Sequence, residues 1–130
     1  MIYTVKILVV DDEEDTLSSI KEILEKENYK VTGVNTGLGA IKEVKNEKFD
    51  LVILDIMMPH LSGWDTFSKI REINSIQKVM FLSVIESSEL SRERKMNLEK
   101  SSNVEYLSKP FDRSVLVERV KSMIEVGRKK

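Results

Sequence analysis

Leu51-Val52-Ile53-Leu54 is an unbroken apolar run that stops on one acid, Asp55, and is followed by a turn closing on Pro59. The run is short and partly β-branched, so it predicts a strand rather than a helix. It does not alternate with polar residues, so both of its faces must be covered. That is the condition of an inner strand in a parallel sheet, where the apolar pattern is continuous. Asp55 then ends a central strand, at the sheet edge where open α/β folds bind their ligands.

The rest of the chain repeats the same grammar. Val5-Lys6-Ile7-Leu8-Val9-Val10 predicts a first buried strand, and five acids, Asp11-Asp12-Glu13-Glu14-Asp15, follow it directly. Leu17, Ile20 and Leu24 then recur at helical spacing. Acids suit a helix N-terminus, where they cap it and oppose its dipole, but that does not require an adjacent pair at the very end of a strand. Val31-Thr32-Gly33-Val34 predicts a second strand, and Leu38, Ile41 and Val44 mark a second amphipathic helix. The opening stretch supplies the third strand. Trp64, Phe67, Ile70 and Ile73 then step along a third helix, with its aromatics expected in the core. Lys78-Val79-Met80-Phe81-Leu82 is a fourth strand ending on Ser83. Residues 86 to 102 are polar, with Leu90, Met96 and Leu98 as anchors, and predict a weakly held fourth helix. Val104-Glu105-Tyr106-Leu107 gives a fifth strand, and Asp112 opens a last helix carrying Leu116, Val120, Met123 and Ile124.

Strand and helix thus alternate along the chain, which predicts parallel strands joined by right-handed crossovers with helices on both faces. At 130 residues, the chain is expected to form one domain, with its core over about residues 5–127. Hydrophobic residues make up 41%, enough for a packed core without a disulfide or metal staple, and there is no cysteine. A net charge of -1 supplies no global field to recruit nucleic acid, and no apolar run approaches a bilayer span. The expected setting is the cytoplasm, with no membrane and no nucleic acid bound by this domain. No helix-turn-helix pattern follows residue 127, so a DNA-binding output is expected to lie outside this sequence.

In a parallel sheet all carboxyl ends share one rim. Asp11 and Asp12, Asp55, Ser83 and Lys109 therefore converge there. Together with Val9-Val10-Asp11-Asp12-Glu13, Leu54-Asp55-Ile56-Met57-Met58-Pro59, Gly63 and Tyr106-Leu107-Ser108-Lys109-Pro110-Phe111, this set resembles the receiver domain of two-component response regulators over nearly the whole chain. The resemblance implies a flavodoxin-like, doubly wound five-stranded parallel sheet of order 2-1-3-4-5. It implies that Asp55 accepts a phosphoryl group from the phosphohistidine of a sensor histidine kinase or phosphotransfer protein. It implies a Mg²⁺ site made by Asp12, Asp55 and the Met57 carbonyl, with Asp11 acting through water. Lys109 would offset charge on the transferred group, Ser83 would bind it by its hydroxyl, and Tyr106 would move with Ser83 as the switch. A downstream protein partner would meet the face made by the fourth helix, fifth strand and last helix.

The physical chemistry agrees with that assignment. Two unit charges about 4 Å apart repel by roughly 4 kcal/mol at an effective dielectric near 20, so clustered carboxylates either raise one another's pKa or take up a cation. Hard oxygen ligands suit Mg²⁺, which keeps waters and leaves room for a phosphate. Two features depart from the family pattern. Ser83 stands where threonine is commoner, and the stretch between Ser83 and Lys109 is longer, with Ser101-Ser102-Asn103 before the fifth strand. Met57 and Ile85, two residues past Asp55 and Ser83, cannot orient an attacking water by hydrogen bonding, which predicts slow self-dephosphorylation.

Rival classes fit less well. A phosphatase of the haloacid dehalogenase type needs a second acid two residues after its aspartyl nucleophile, where this chain has Met57. A nucleotide or flavin module needs a glycine-rich loop after the first strand, and acids stand there instead. A degenerate receiver is excluded by the intact set of acids, hydroxyl and lysine. His60, the only histidine, is expected to be solvent-exposed in its turn.

Overall fold

The computed structural model describes residues 3–84 and 103–125. Five strands run β1 (Lys6–Val10), β2 (Lys30–Val34), β3 (Leu51–Asp55), β4 (Val79–Ser83) and β5 (Val104–Ser108). They form one sheet of order β2-β1-β3-β4-β5, with every paired neighbour parallel. Between them lie helices α1 (Glu14–Glu25), α2 (Gly37–Asn46) and α3 (Gly63–Ile73), and a C-terminal helix (Arg113–Glu125) follows β5. The helix expected over 86–102 falls outside the described residues.

The opening stretch sits as its composition requires. All five residues of β3 are buried, as are all five of β4. Side chains alternate between the two faces of a strand. Ile7, Val9, Leu51, Ile53, Met80 and Leu82 therefore build one core with α1 and the C-terminal helix. Leu8, Val10, Val52, Leu54, Val79 and Phe81 build the other with α2 and α3. Burial on both sides makes β3 a rigid post, and Asp55 stands at its end.

Two local expectations are corrected. Leu38 is 71% exposed, and α2 turns Gly37, Ala40 and Val44 inward. The helix begins at Gly37, so Leu38 falls on its outward face, where a single apolar residue costs little. Glu13 occupies the N-cap position of α1 but makes no side-chain cap bond. Only Glu14 and Asp15 act on the helix dipole, in its first turn.

By contrast, α3 is capped. The Ser62 hydroxyl accepts from the Asp65 N–H at 3.2 Å. Ser62→Ala is expected to lower stability by about 1 kcal/mol, read as a lower urea midpoint at constant slope, whereas Ser62→Asp should retain most of it.

Candidate functional site

Register brings the strand ends to a common edge. Val10 pairs with Leu54, Asp55 with Leu82, and Ser83 with Ser108. Asp11 and Asp12 therefore leave β1 beside the end of β3, and Lys109 leaves β5 just beyond Ser83. Backbone bonds secure the rim: Ile56 N–H donates to the Leu82 carbonyl at 3.0 Å and Lys109 N–H to the Ser83 carbonyl at 2.7 Å.

Asp11, Asp12 and Asp55 each place a carboxylate oxygen within 4.8 Å of the others. Asp11 is fully buried, Asp55 is 4% exposed, and Asp12 faces solvent. The Lys109 ammonium lies 2.9 Å from Asp11 Oδ2 and 3.6 Å from Asp55 Oδ2. Asp11 Oδ1 accepts from the Glu13 N–H at 2.9 Å, and Asp55 Oδ1 accepts from the Met57 N–H at 3.3 Å. Ser83 is buried at the end of β4. All five rim residues singled out from the sequence thus stand at this edge. Met57 is 59% exposed and His60 lies on the surface, while Ile85 falls outside the described residues.

One neighbour had been given no role. The Glu13 carboxylate stands 3.8 Å from the Lys109 ammonium, so a third acid, besides Asp11 and Asp55, shares that cation. The run of five acids contained the signal, but which of them turns back toward the rim depends on where α1 begins.

Burial pushes the Asp55 carboxyl up to about 6, and the charges of Asp11 and Asp12 add to the rise, against the pull of Lys109 and the Met57 N–H. Burial alone would lower the Lys109 pKa. The hydrogen bond to Asp11 and the charges of Asp55, Asp11 and Glu13 more than offset it, so the ammonium is held above its usual range. Three acids, two of them buried, beside one lysine leave negative charge to be neutralised, and a hard divalent cation fits that oxygen donor set.

This imbalance has a stability consequence. An acid whose pKa is higher in the folded state than in the unfolded chain binds more protons when folded, so stability falls as pH rises through that interval. For Asp55 the interval runs from 3.8 to about 6, and the full deficit, roughly 3 kcal/mol, is present above it. Metal-free Asp55→Asn is therefore expected to be more stable than the parent near pH 7.5 by about 2–3 kcal/mol. The gap should close near pH 4, as urea midpoints across pH would show. An equal gap at both pH values would refute this account.

To one side of the rim, a cleft lined by Asp15, Thr16, Ser19, Ile20, Val84 and Phe111 reaches Lys109 but none of the three clustered acids. Tyr106 is half-buried on β5, its ring stacked on Phe81 at a centroid distance of 5.6 Å.

Residues 7–121 match the family described as "Response regulator receiver domain". The chain is 33% identical over 123 residues to the transcriptional regulatory protein PcoR of Escherichia coli, covering 95% of this chain and 53% of that protein. It is 33% identical over 120 residues to the alkaline phosphatase synthesis transcriptional regulatory protein PhoP of Bacillus subtilis, covering 92% and 48%. It therefore spans about half the length of the curated relatives it matches. Among solved structures, a CheY-like response regulator receiver domain protein from Methanospirillum hungatei superposes with a TM-score of 0.86 at 27% identity, covering 98% of both chains. The Thermotoga maritima response regulator TrrA, in complex with Mg²⁺-BeF, superposes with a TM-score of 0.78 at 34% identity, covering 92% of this chain and 99% of that one. The family match, the curated relatives and the fold agree, and the chain belongs to the response regulator receiver domains of two-component signalling.

Proposed function

We propose that this chain is a single receiver domain that accepts a phosphoryl group on Asp55 from a histidine kinase or phosphotransfer protein, and thereby switches the face it offers a downstream protein. The observation that carries the reading is the meeting of three carboxylates within 4.8 Å with an ammonium 3.6 Å from Asp55. An Asp55 carboxylate oxygen attacks phosphorus, the bond from phosphorus to the donor nitrogen breaks, and that nitrogen leaves with the electron pair. Mg²⁺, when bound, offsets charge on the phosphoryl oxygens and on the ionised acids.

The chain's own residues divide the remaining work. Asp12 and Asp55, together with the Met57 carbonyl, would hold the Mg²⁺ directly. Asp11 has one oxygen on Lys109 and the other on the Glu13 N–H, so it suits a supporting role through water. Lys109 balances developing negative charge, where positioning and electrostatics supply most of the acceleration. Ser83, on the strand beside Asp55, donates its hydroxyl to the phosphoryl group once it has arrived, and Tyr106 moves with it. A few kcal/mol of differential contact is enough to move such a two-state population. The face formed by β5 and the C-terminal helix meets the downstream partner; the fourth helix expected to complete it lies outside the described residues. With no side chain at Met57 able to orient water, self-dephosphorylation is slow. The domain works as a switch in the cytoplasm and does not turn over a separate substrate.

Incubation with Mg²⁺ and a small acyl phosphate, followed by intact mass, tests the reading. One added phosphoryl group is expected, absent without Mg²⁺ and absent in Asp55→Asn. Labelling that persists in the variant would overturn the assignment of Asp55.

A further inference from the structure

Half of the chain's eight aromatic residues gather between α3, β4 and β5. Trp64 on α3 stands 4.9 Å from the Phe81 ring and meets Tyr106 edge-on at 6.3 Å. Phe81 stacks on Tyr106 at 5.6 Å and takes Phe67 edge-on at 5.2 Å. The Tyr106 hydroxyl oxygen is buried here, so its ring is held inward.

What Trp64 follows matters as much as what it touches. Gly63, the preceding residue, donates its N–H to the Ile56 carbonyl at 2.9 Å. Its α-carbon lies so close to the backbone of Asp55 and Ile56 that a β-carbon there would stand 2.3 Å from the Asp55 carbonyl oxygen. The start of α3 is thus docked onto the chain at the acceptor aspartate, and the next side chain along reaches Tyr106. Backbone in such contact cannot move at Asp55 without moving the start of α3, because close-packed groups transmit displacement.

We infer that Trp64 is a positioning residue for Tyr106, linking the acceptor loop to that ring through α3 alongside the link through the Ser83 hydroxyl. The inference rests on the reading of Tyr106 as the switch. Spatial continuity alone does not establish coupling, so the test is a double-mutant cycle. The chain has three tyrosines, and fluorotyrosine incorporation gives three ¹⁹F signals, with that of Tyr106 assigned by its absence in Tyr106→Phe. Mg²⁺ with beryllofluoride serves as the phosphoryl mimic, and its own bound ¹⁹F signal reports occupancy of Asp55.

In the parent chain the Tyr106 signal should shift on adding the mimic. In Ser83→Ala a reduced shift should remain, and in Ser83→Ala with Trp64→Leu it should vanish. Trp64→Leu alone should change the ratio of inward to outward ring by about 2- to 10-fold, the range expected for loss of one or two ring contacts. It should leave the bound beryllofluoride signal unchanged. Trp64→Phe keeps a ring and should recover part of the effect, while unmoved signals from Tyr3 and Tyr29 confirm that both variants fold. If Trp64→Leu matches the parent, or Ser83→Ala alone abolishes the shift, the inference fails while the reading of Tyr106 stands. If the mimic binds and Tyr106 does not respond in the parent chain, both fall.

Discussion

Replacing Lys109 with alanine is expected to slow phosphoryl transfer to Asp55 by about 10²–10³-fold, the usual cost of removing one preorganised electrostatic partner. Mg²⁺ binding should survive, and should tighten. The ammonium lies 2.9 Å from Asp11 and 3.6 Å from Asp55, so it competes with a divalent cation for the same negative charge. Without it, two buried carboxylates face each other uncompensated, and a cation gains more by entering. Transfer rate and metal affinity are therefore expected to move in opposite directions, which separates Lys109 from the proposed metal ligands: Asp12→Ala should weaken both. The rate is read from intact mass against time with an acyl phosphate, and affinity from calorimetric titration of Mg²⁺. Parallel losses of rate and affinity in Lys109→Ala would mean that the lysine acts by holding the metal site together. Arginine is not expected to rescue the rate, because a planar guanidinium does not replace a compact ammonium in a site where Lys109 is only 11% exposed.

The rim could be read from the sequence because each member is announced by its neighbours. Asp11, Asp55 and Ser83 each end or directly follow an unbroken apolar strand, and parallel topology brings such ends together. Sheet order followed from the alternation of elements together with the family resemblance. The phase of a helix was harder to read. Leu38 resembled a core position, yet Gly37 and Ala40 are the inward ones, and at Gly37 the Thr66 hydroxyl of α3 and the Leu61 side chain leave no room for a larger residue. Contacts distant in sequence were harder still. Lys78 heads β4, and its ammonium donates to the Met123 carbonyl at 2.6 Å, closing the end of the C-terminal helix across 45 positions. Gln77 is buried because its amide donates to the Phe49 carbonyl at 3.0 Å. No local pattern marks either residue, because the partner that makes burial tolerable is supplied only by the assembled fold. The approach of Glu13 to Lys109 belongs with these.

Gly63→Ala should be the most damaging glycine-to-alanine change among the described glycines. Helix propensity argues for alanine, since glycine in a helix costs about 1 kcal/mol. Space argues against it and wins. The new β-carbon would stand 2.3 Å from the Asp55 carbonyl oxygen and 2.6 Å from the Ile56 α-carbon. Both neighbours are backbone, so no flexible side chain can swing aside, and α3 must withdraw from the acceptor loop. The expected cost is about 2–3 kcal/mol, the range for overpacking a site that cannot yield. Because the loop carries Asp55, Mg²⁺ affinity should fall as well. Gly39→Ala is the control. There a β-carbon meets the Thr36 hydroxyl, which caps the helix by accepting the Gly39 N–H, at 3.0 Å and Val34 at 3.4 Å; both are side chains rather than backbone, and the helix gains propensity. Its urea midpoint should stay within about 0.5 kcal/mol of the parent. Should Gly63→Ala prove as stable as Gly39→Ala and bind Mg²⁺ as the parent does, then the contact between α3 and the acceptor loop is not what holds Asp55 in place. The post on which the site depends would be β3 alone.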